Sequence, residues 1–164
     1  MTECPPDLPQ GVASAGRVDL RLKPAKQELR RLAPALEAFS TAQGLTPRVA
    51  NALALALEEA VTNVFFYAFE DDSSDSQEIG VVIERRADAV HVTVRDNGRP
   101  FDPTAREMTT LPTSLDDLAP GGLGIRIIRS VANRVAYRRE QGCNHLELEL
   151  AIGASDRSSN RRIP

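Results

Sequence analysis

Leu53 to Phe69, LALALEEAVTNVFFYAF, is the stretch on which the fold turns. Val49, Leu53, Leu57, Val61, Val64 and Ala68 recur at helical spacing, so one stripe of a helix is aliphatic. Glu58, Glu59, Thr62 and Asn63 interrupt the apolar run. Glu59 and Asn63 are one helical turn apart and project from the same side, away from the aliphatic stripe. Such a helix buries one side and holds a carboxylate and a carboxamide together at the edge of a pocket. A carboxylate can serve as a general base, and an amide oxygen is a hard ligand suited to Mg²⁺. Taken alone, the same pattern also fits a core helix with a solvated polar face.

Working outward toward the N-terminus, Thr46-Pro47 supplies an N-cap and a proline at the first helical position, which predicts a central helix over 47–69. Gly44 closes the preceding segment as a C-cap residue does. That segment, Ala25 to Gln43, carries Leu29, Leu32, Leu36 and Phe39 at helical spacing, with Pro34 inside it. A proline there predicts a kink or two short helices. Val18 to Leu22, VDLRL, alternates as a short strand does, and residues 1–16 are rich in Pro, Gly and Ser and read as a flexible arm.

Toward the C-terminus, Glu70 to Gln77 is an acidic turn without the glycine and closing glutamate of an EF-hand loop. Glu78–Glu84 and Ala89–Arg95 predict a β-hairpin joined by residues 85–88. Asp96-Asn97-Gly98 follows at the strand end, a place where a ligand can meet backbone, although D-N-G is also ordinary turn chemistry. Residues 104–120 show no period, and loops of that length inside a compact domain are usually functional or mobile. Gly121-Gly122-Leu123-Gly124-Ile125 then opens a helix running to Val131. Glycines before a helix let backbone N–H groups approach phosphate at the positive helix end. No Gly-Lys-Ser/Thr follows, so the segment is not a Walker A loop. Arg134–Glu140 and Asn144–Ile152 predict a second hairpin through Gln141-Gly142, and 153–164 reads as a polar tail. His91 and His145 stand on strands without an acid or nucleophile arranged beside them in sequence.

The totals agree with one ordinary globular domain: 164 residues, 41% hydrophobic, 26% charged and a net charge of −3. Neither nucleic acid nor an anionic membrane is advertised by that charge, and aromatics at 4% with no Trp argue against a base-stacking surface. No apolar run reads as a bilayer span and the first residues lack a secretory signal, so a cytoplasmic protein is expected. The two cysteines have no metal-like spacing.

Three motifs stand in order: Glu59-Ala60-Val61-Thr62-Asn63, Asp96-Asn97-Gly98-Arg99-Pro100-Phe101-Asp102, and Gly121-Gly122-Leu123-Gly124-Ile125. Together they resemble the GHKL ATPase superfamily, and within it the anti-sigma factor serine/threonine kinase group of bacterial partner switching, over residues 18–152. The resemblance implies an α/β two-layer sandwich, a mixed β-sheet with helices on one face, in an ATPase domain over 17–152. It implies that Asn63 binds Mg²⁺ bridging the ATP phosphates and that Glu59 is the general base activating an acceptor hydroxyl. Asp96 would accept from the adenine amino group, with Gly98 giving the ring room. Residues 103–120 would form the ATP lid, and Gly122, Leu123 and Gly124 would aim backbone donors at the phosphates. At Tyr67 many relatives carry a His.

The implied activity is Mg-ATP-dependent phosphorylation of a small antagonist protein, of the anti-anti-sigma kind, with sequestration of a sigma factor or other regulator. The family often forms a homodimer through the sheet region. Two other readings stay open: a nucleotide-dependent partner-binding module with little or no kinase activity, and a domain that hydrolyses ATP with water as acceptor. The presence of Glu59 favours the enzyme, since a pure binding module has no use for a base.

Overall fold

The computed structural model describes residues 16–69, 77–105 and 122–153. The expected N-terminal arm, acidic turn, ATP lid and polar tail lie outside them, apart from residues 16, 77, 103–105 and 153. The elements run β1 (Arg17–Leu22), α1 (Lys26–Leu29), α2 (Leu32–Ala42), α3 (Pro47–Tyr67), β2 (Ile79–Arg86), β3 (Ala89–Asp96), α4 (Gly122–Val131), β4 (Arg134–Glu140) and β5 (Cys143–Ala151).

The central helix starts where Thr46-Pro47 places it. Thr46 is extended, and its hydroxyl oxygen accepts from the Val49 N–H. Gly44 has a left-handed φ of 59°, as the turn between α2 and α3 requires. The preceding helical segment is two helices, and the break falls at Arg30-Arg31, upstream of Pro34. There Pro34 lies in the first turn of α2, where its missing N–H has no intrahelical partner to lose.

Five strands pair in the order β1-β2-β3-β5-β4. All four pairings are antiparallel, so the expectation of a mixed sheet is corrected. Two tight hairpins, β2–β3 and β4–β5, dictate two of the four, because a two-residue turn can only reverse the chain. At the second hairpin Gln141 and Gly142 both have positive φ, 49° and 81°, which matches the strand twist.

Alternation gives the sheet one apolar face. Val81, Val94 and Leu146 align across three strands, and Ile83, Val92 and Leu148 form the adjacent row. Leu53, Leu57, Val61 and Val64 of α3, with Ile125 and Ile128 of α4, complete the same cluster, giving the two-layer α/β sandwich. By length and mean hydropathy, 1.3, α3 meets the composition of a membrane span, which the sequence reading did not credit. Its apolar stripe is instead spent on the core, and its opposite side carries Glu58 and Glu59.

The stripe makes the LALAL run divisible. Leu57 is fully buried, whereas Leu55, two residues earlier, is 41% exposed. We expect Leu57→Ala to lower the unfolding free energy by about 2–5 kcal/mol. Leu55→Ala should change it by less than about 0.5 kcal/mol. Urea denaturation of the two variants checks this, and equal losses would contradict the register of α3.

Candidate functional site

The three motifs meet along one edge of the sandwich. Glu59 is half-buried and Asn63 is 6% exposed on the side of α3 that faces α4. Gly124, in the first turn of α4, lies directly over them. A Cβ at Gly124 would stand 2.7 Å from Glu59 Oε2 and 3.0 Å from Asn63 Nδ2. Without a Cβ here, the Glu59 carboxylate can sit against the helix start. The first N–H groups of a helix have no intrahelical acceptor, so Gly122, Leu123 and Gly124 bring the positive helix end close to this carboxylate and carboxamide. The Leu123 side chain is 53% exposed.

Asn63 Nδ2 is buried without a hydrogen-bond partner among the described residues. A buried amide left so costs stability, and a ligand that engages it is one reason to retain it. That N–H calls for an acceptor such as a phosphate oxygen, and the amide oxygen of the same side chain is the hard ligand that Mg²⁺ takes beside phosphate. The residues present therefore fit a phosphate-bound Mg²⁺.

The second motif sits where β3 ends. Asp96 is 4% exposed. The Gly98 N–H donates to its Oδ1 at 2.9 Å, and Asn144 Nδ2 donates to the same oxygen at 2.7 Å. Among the described residues Oδ2 carries no hydrogen bond. Burial pushes the Asp96 carboxyl above the ordinary carboxylate range, while the Asn144 and Gly98 hydrogen bonds and the Arg139 charge pull it back. What results is a buried carboxyl with one engaged oxygen and one available acceptor.

Gly98 is demanded by packing. A Cβ there would lie 2.4 Å from the Ala68 carbonyl oxygen and 2.7 Å from the Ala68 Cβ. The Arg99 N–H donates to that same carbonyl at 2.9 Å, and the Arg99 side chain donates to Tyr67 O at 2.6 Å. The Asp-Gly turn is thus fastened to the C-terminal end of α3. Tyr67 stacks on Phe101 with ring centroids 5.8 Å apart, so an aromatic pair joins the end of α3 to the second motif. Arg129 of α4 donates to Thr104 O at 2.8 Å and ties the end of the second motif to the third.

Asn144, Tyr137 and Arg139 were not singled out by the sequence reading. The cue was the pairing of the last strand: Asn144 stands directly across from Asp96. A cavity of about 480 Å³ lies elsewhere, between α2 and α3, and shares only Glu58 and Thr62 with the polar side of α3. Gly121 and residues 106–120 of the expected lid lie outside the described residues.

Comparison with known proteins follows this geometry. Residues 22–150 match the histidine kinase-like ATPase domain family, which spans all three motifs. The chain is 33% identical over 113 residues to the serine/threonine-protein kinase BtrW of Bordetella bronchiseptica, covering 69% of this chain and 78% of that protein. It is 32% identical over 79 residues to the anti-sigma F factor of Anoxybacillus flavithermus, covering 48% of this chain and 53% of that protein. The crystal structure of the RsbU and RsbW domains of Rv1364c from Mycobacterium tuberculosis shares the fold, with a TM-score of 0.58 at 14% identity. That match covers 83% of this chain, which spans about a third (32%) of the longer one.

The two glycines should respond differently to alanine. At Gly98 the obstacle is backbone, so Gly98→Ala should destabilise the fold by roughly 1–3 kcal/mol or more. At Gly124 the nearest atom is the end of a flexible Glu side chain, and alanine gains about 0.5–1 kcal/mol in a helix. Gly124→Ala should therefore keep near wild-type stability with Glu59 displaced. Thermal and urea unfolding check the contrast, and a Gly98→Ala protein as stable as wild type would refute the packing argument.

Proposed function

The chain belongs to the histidine kinase-like ATPase family, and on that premise we propose that it is a serine/threonine protein kinase of the anti-sigma factor type. It binds Mg-ATP and transfers the γ-phosphoryl group to a Ser or Thr hydroxyl of a small antagonist protein. It also sequesters a sigma factor or another regulator, acts in the cytoplasm, and works without direct contact to nucleic acid or membrane. The observation that carries this reading is the approach of Gly124 to Glu59 and Asn63, which brings a carboxylate, a carboxamide and a helix start together.

In this reading Asp96 Oδ2 accepts the adenine amino hydrogen bond, and Gly122, Leu123 and Gly124 present N–H donors to the phosphates. Asn63 holds Mg²⁺, which when bound neutralises phosphate charge. Phosphoryl transfer asks a protein chiefly for positioning and charge stabilisation. Glu59 takes the proton of the acceptor hydroxyl as the oxygen attacks phosphorus and the bond to the ADP oxygen breaks. Half-burial suits that role, since the carboxylate must meet a hydroxyl delivered by another protein.

Glu59→Gln should bind Mg-ATP within about twofold of wild type yet phosphorylate the antagonist some 10²–10⁴-fold more slowly. Asn63→Ala should lose Mg-ATP affinity as well as transfer. Asp96→Asn should weaken ATP by about 1.5–3 kcal/mol, for loss of a hydrogen bond to a charged acceptor. Calorimetry and transfer of labelled phosphate to a co-purifying protein measure these. Transfer by Glu59→Gln at the wild-type rate would remove the base assignment. A wild type that captures a partner only with nucleotide, yet never labels it, would make the protein a binding module.

A further inference from the structure

We propose that Asn144, its amide oriented by Tyr137 and Arg139, is a positioning residue that confines Asp96 to one free acceptor oxygen and so makes the purine site selective for an exocyclic amine. The inference rests on the nucleotide reading above and concerns how that site chooses its base.

The amide orientation follows from its neighbours. Tyr137 O–H donates to Asn144 Oδ1 at 2.8 Å, and an Arg139 N–H donates to the same oxygen at 2.7 Å. On the other side Asn144 Nδ2 donates to Asp96 Oδ1 at 2.7 Å and to the Arg99 carbonyl at 2.9 Å. Turning the amide over would aim its NH₂ at an arginine that has only donors to give. It would also set its oxygen against a carboxylate and a carbonyl. Four contacts therefore select one state, and Asn144, 4% exposed, has little solvent to compensate a wrong one.

The consequence reaches Asp96. Its Oδ1 is filled by Asn144 and by the Gly98 N–H, so a ligand can use only Oδ2. Arg139 adds a second tie, donating to Gly98 O at 3.1 Å, and so links the β4–β5 hairpin to the Asp-Gly turn itself. An acceptor held in one direction rewards a base edge with a donor there. Without Asn144's amide, Asp96 could turn about its side-chain torsions, and the reward for the amine would fall.

The probes are ATP and purine-riboside triphosphate, which lacks only the 6-amino group, titrated with Mg²⁺ into the full chain by calorimetry. Wild type should prefer ATP by roughly 10–100-fold, the range of a hydrogen bond to a charged group. Asn144→Asp sets a carboxylate against Asp96. The double variant Tyr137→Phe/Arg139→Gln releases the amide. Each should cut the ATP preference at least about fivefold while leaving affinity for the amine-free nucleotide within about threefold. A merely structural role would weaken both nucleotides together. An unchanged ratio, or equal loss for both, in a folded variant overturns the inference. Should Asn144→Asp fail to fold, the double variant decides alone. Failure of wild type to bind either nucleotide would sink the nucleotide reading itself, whereas wild-type preference that survives both variants sinks only this one.

Discussion

The contact on which the rest of the site depends is the seating of the α4 N-terminus on α3. Gly124 leaves room that a Cβ would fill against Glu59 and Asn63. A Cβ at this position would displace the Glu59 carboxylate from the helix start. Ile125 and Ile128, buried against the core, hold α4 at that distance, so the same hydrophobic packing that stabilises the domain sets the spacing of polar groups. An aliphatic stripe and a polar stripe on α3 are two products of one helical period.

Asp96 illustrates the opposite problem, a charge-bearing group inside the fold. Burial alone drives its carboxyl toward the neutral form. Two hydrogen bonds and a nearby guanidinium oppose that and let the group remain an acceptor. The means of support come from β5, β4 and the Asp-Gly turn, none of which is near Asp96 on the same strand except the turn. A buried polar group that is satisfied on one oxygen and open on the other is costly unless something outside the fold completes it.

Much of this was legible in the sequence, for physical reasons. Every strand and helix announced itself through period and punctuation, and Thr46-Pro47 located the start of α3 to the residue. Pro34 announced a break but not its position, because a proline is tolerated within a first helical turn and the chain uses that tolerance. Sheet order and the antiparallel sense of β1 and β5 were not readable, since pairing between distant strands leaves no local mark. The support of Asp96 was hidden for the same reason. Asn144 is nearly fifty residues away in sequence and meets Asp96 only through the β3–β5 register. Gly98 was noticed, but Ala68, the neighbour that demands it, belongs to the end of another helix.

The two ends of the site are built from different materials. The Asp96 end is anchored to three hydrogen-bonded strands, and its network spans β3, β4 and β5. The Glu59 end is a junction of two helices where a flexible carboxylate lies beside a glycine. A sheet resists displacement because moving one strand breaks a ladder, whereas a helix start can shift by rotation of a few side chains. On the proposed function, rigidity at the Asp96 end favours discrimination, since an acceptor that cannot follow a poor ligand gives it nothing. On the same proposal, compliance at the Glu59 end favours chemistry, since that carboxylate would meet an incoming hydroxyl and then let the phosphorylated product leave. Selectivity and turnover can then be altered separately, because Asn144 and Glu59 share neither a strand nor a hydrogen bond.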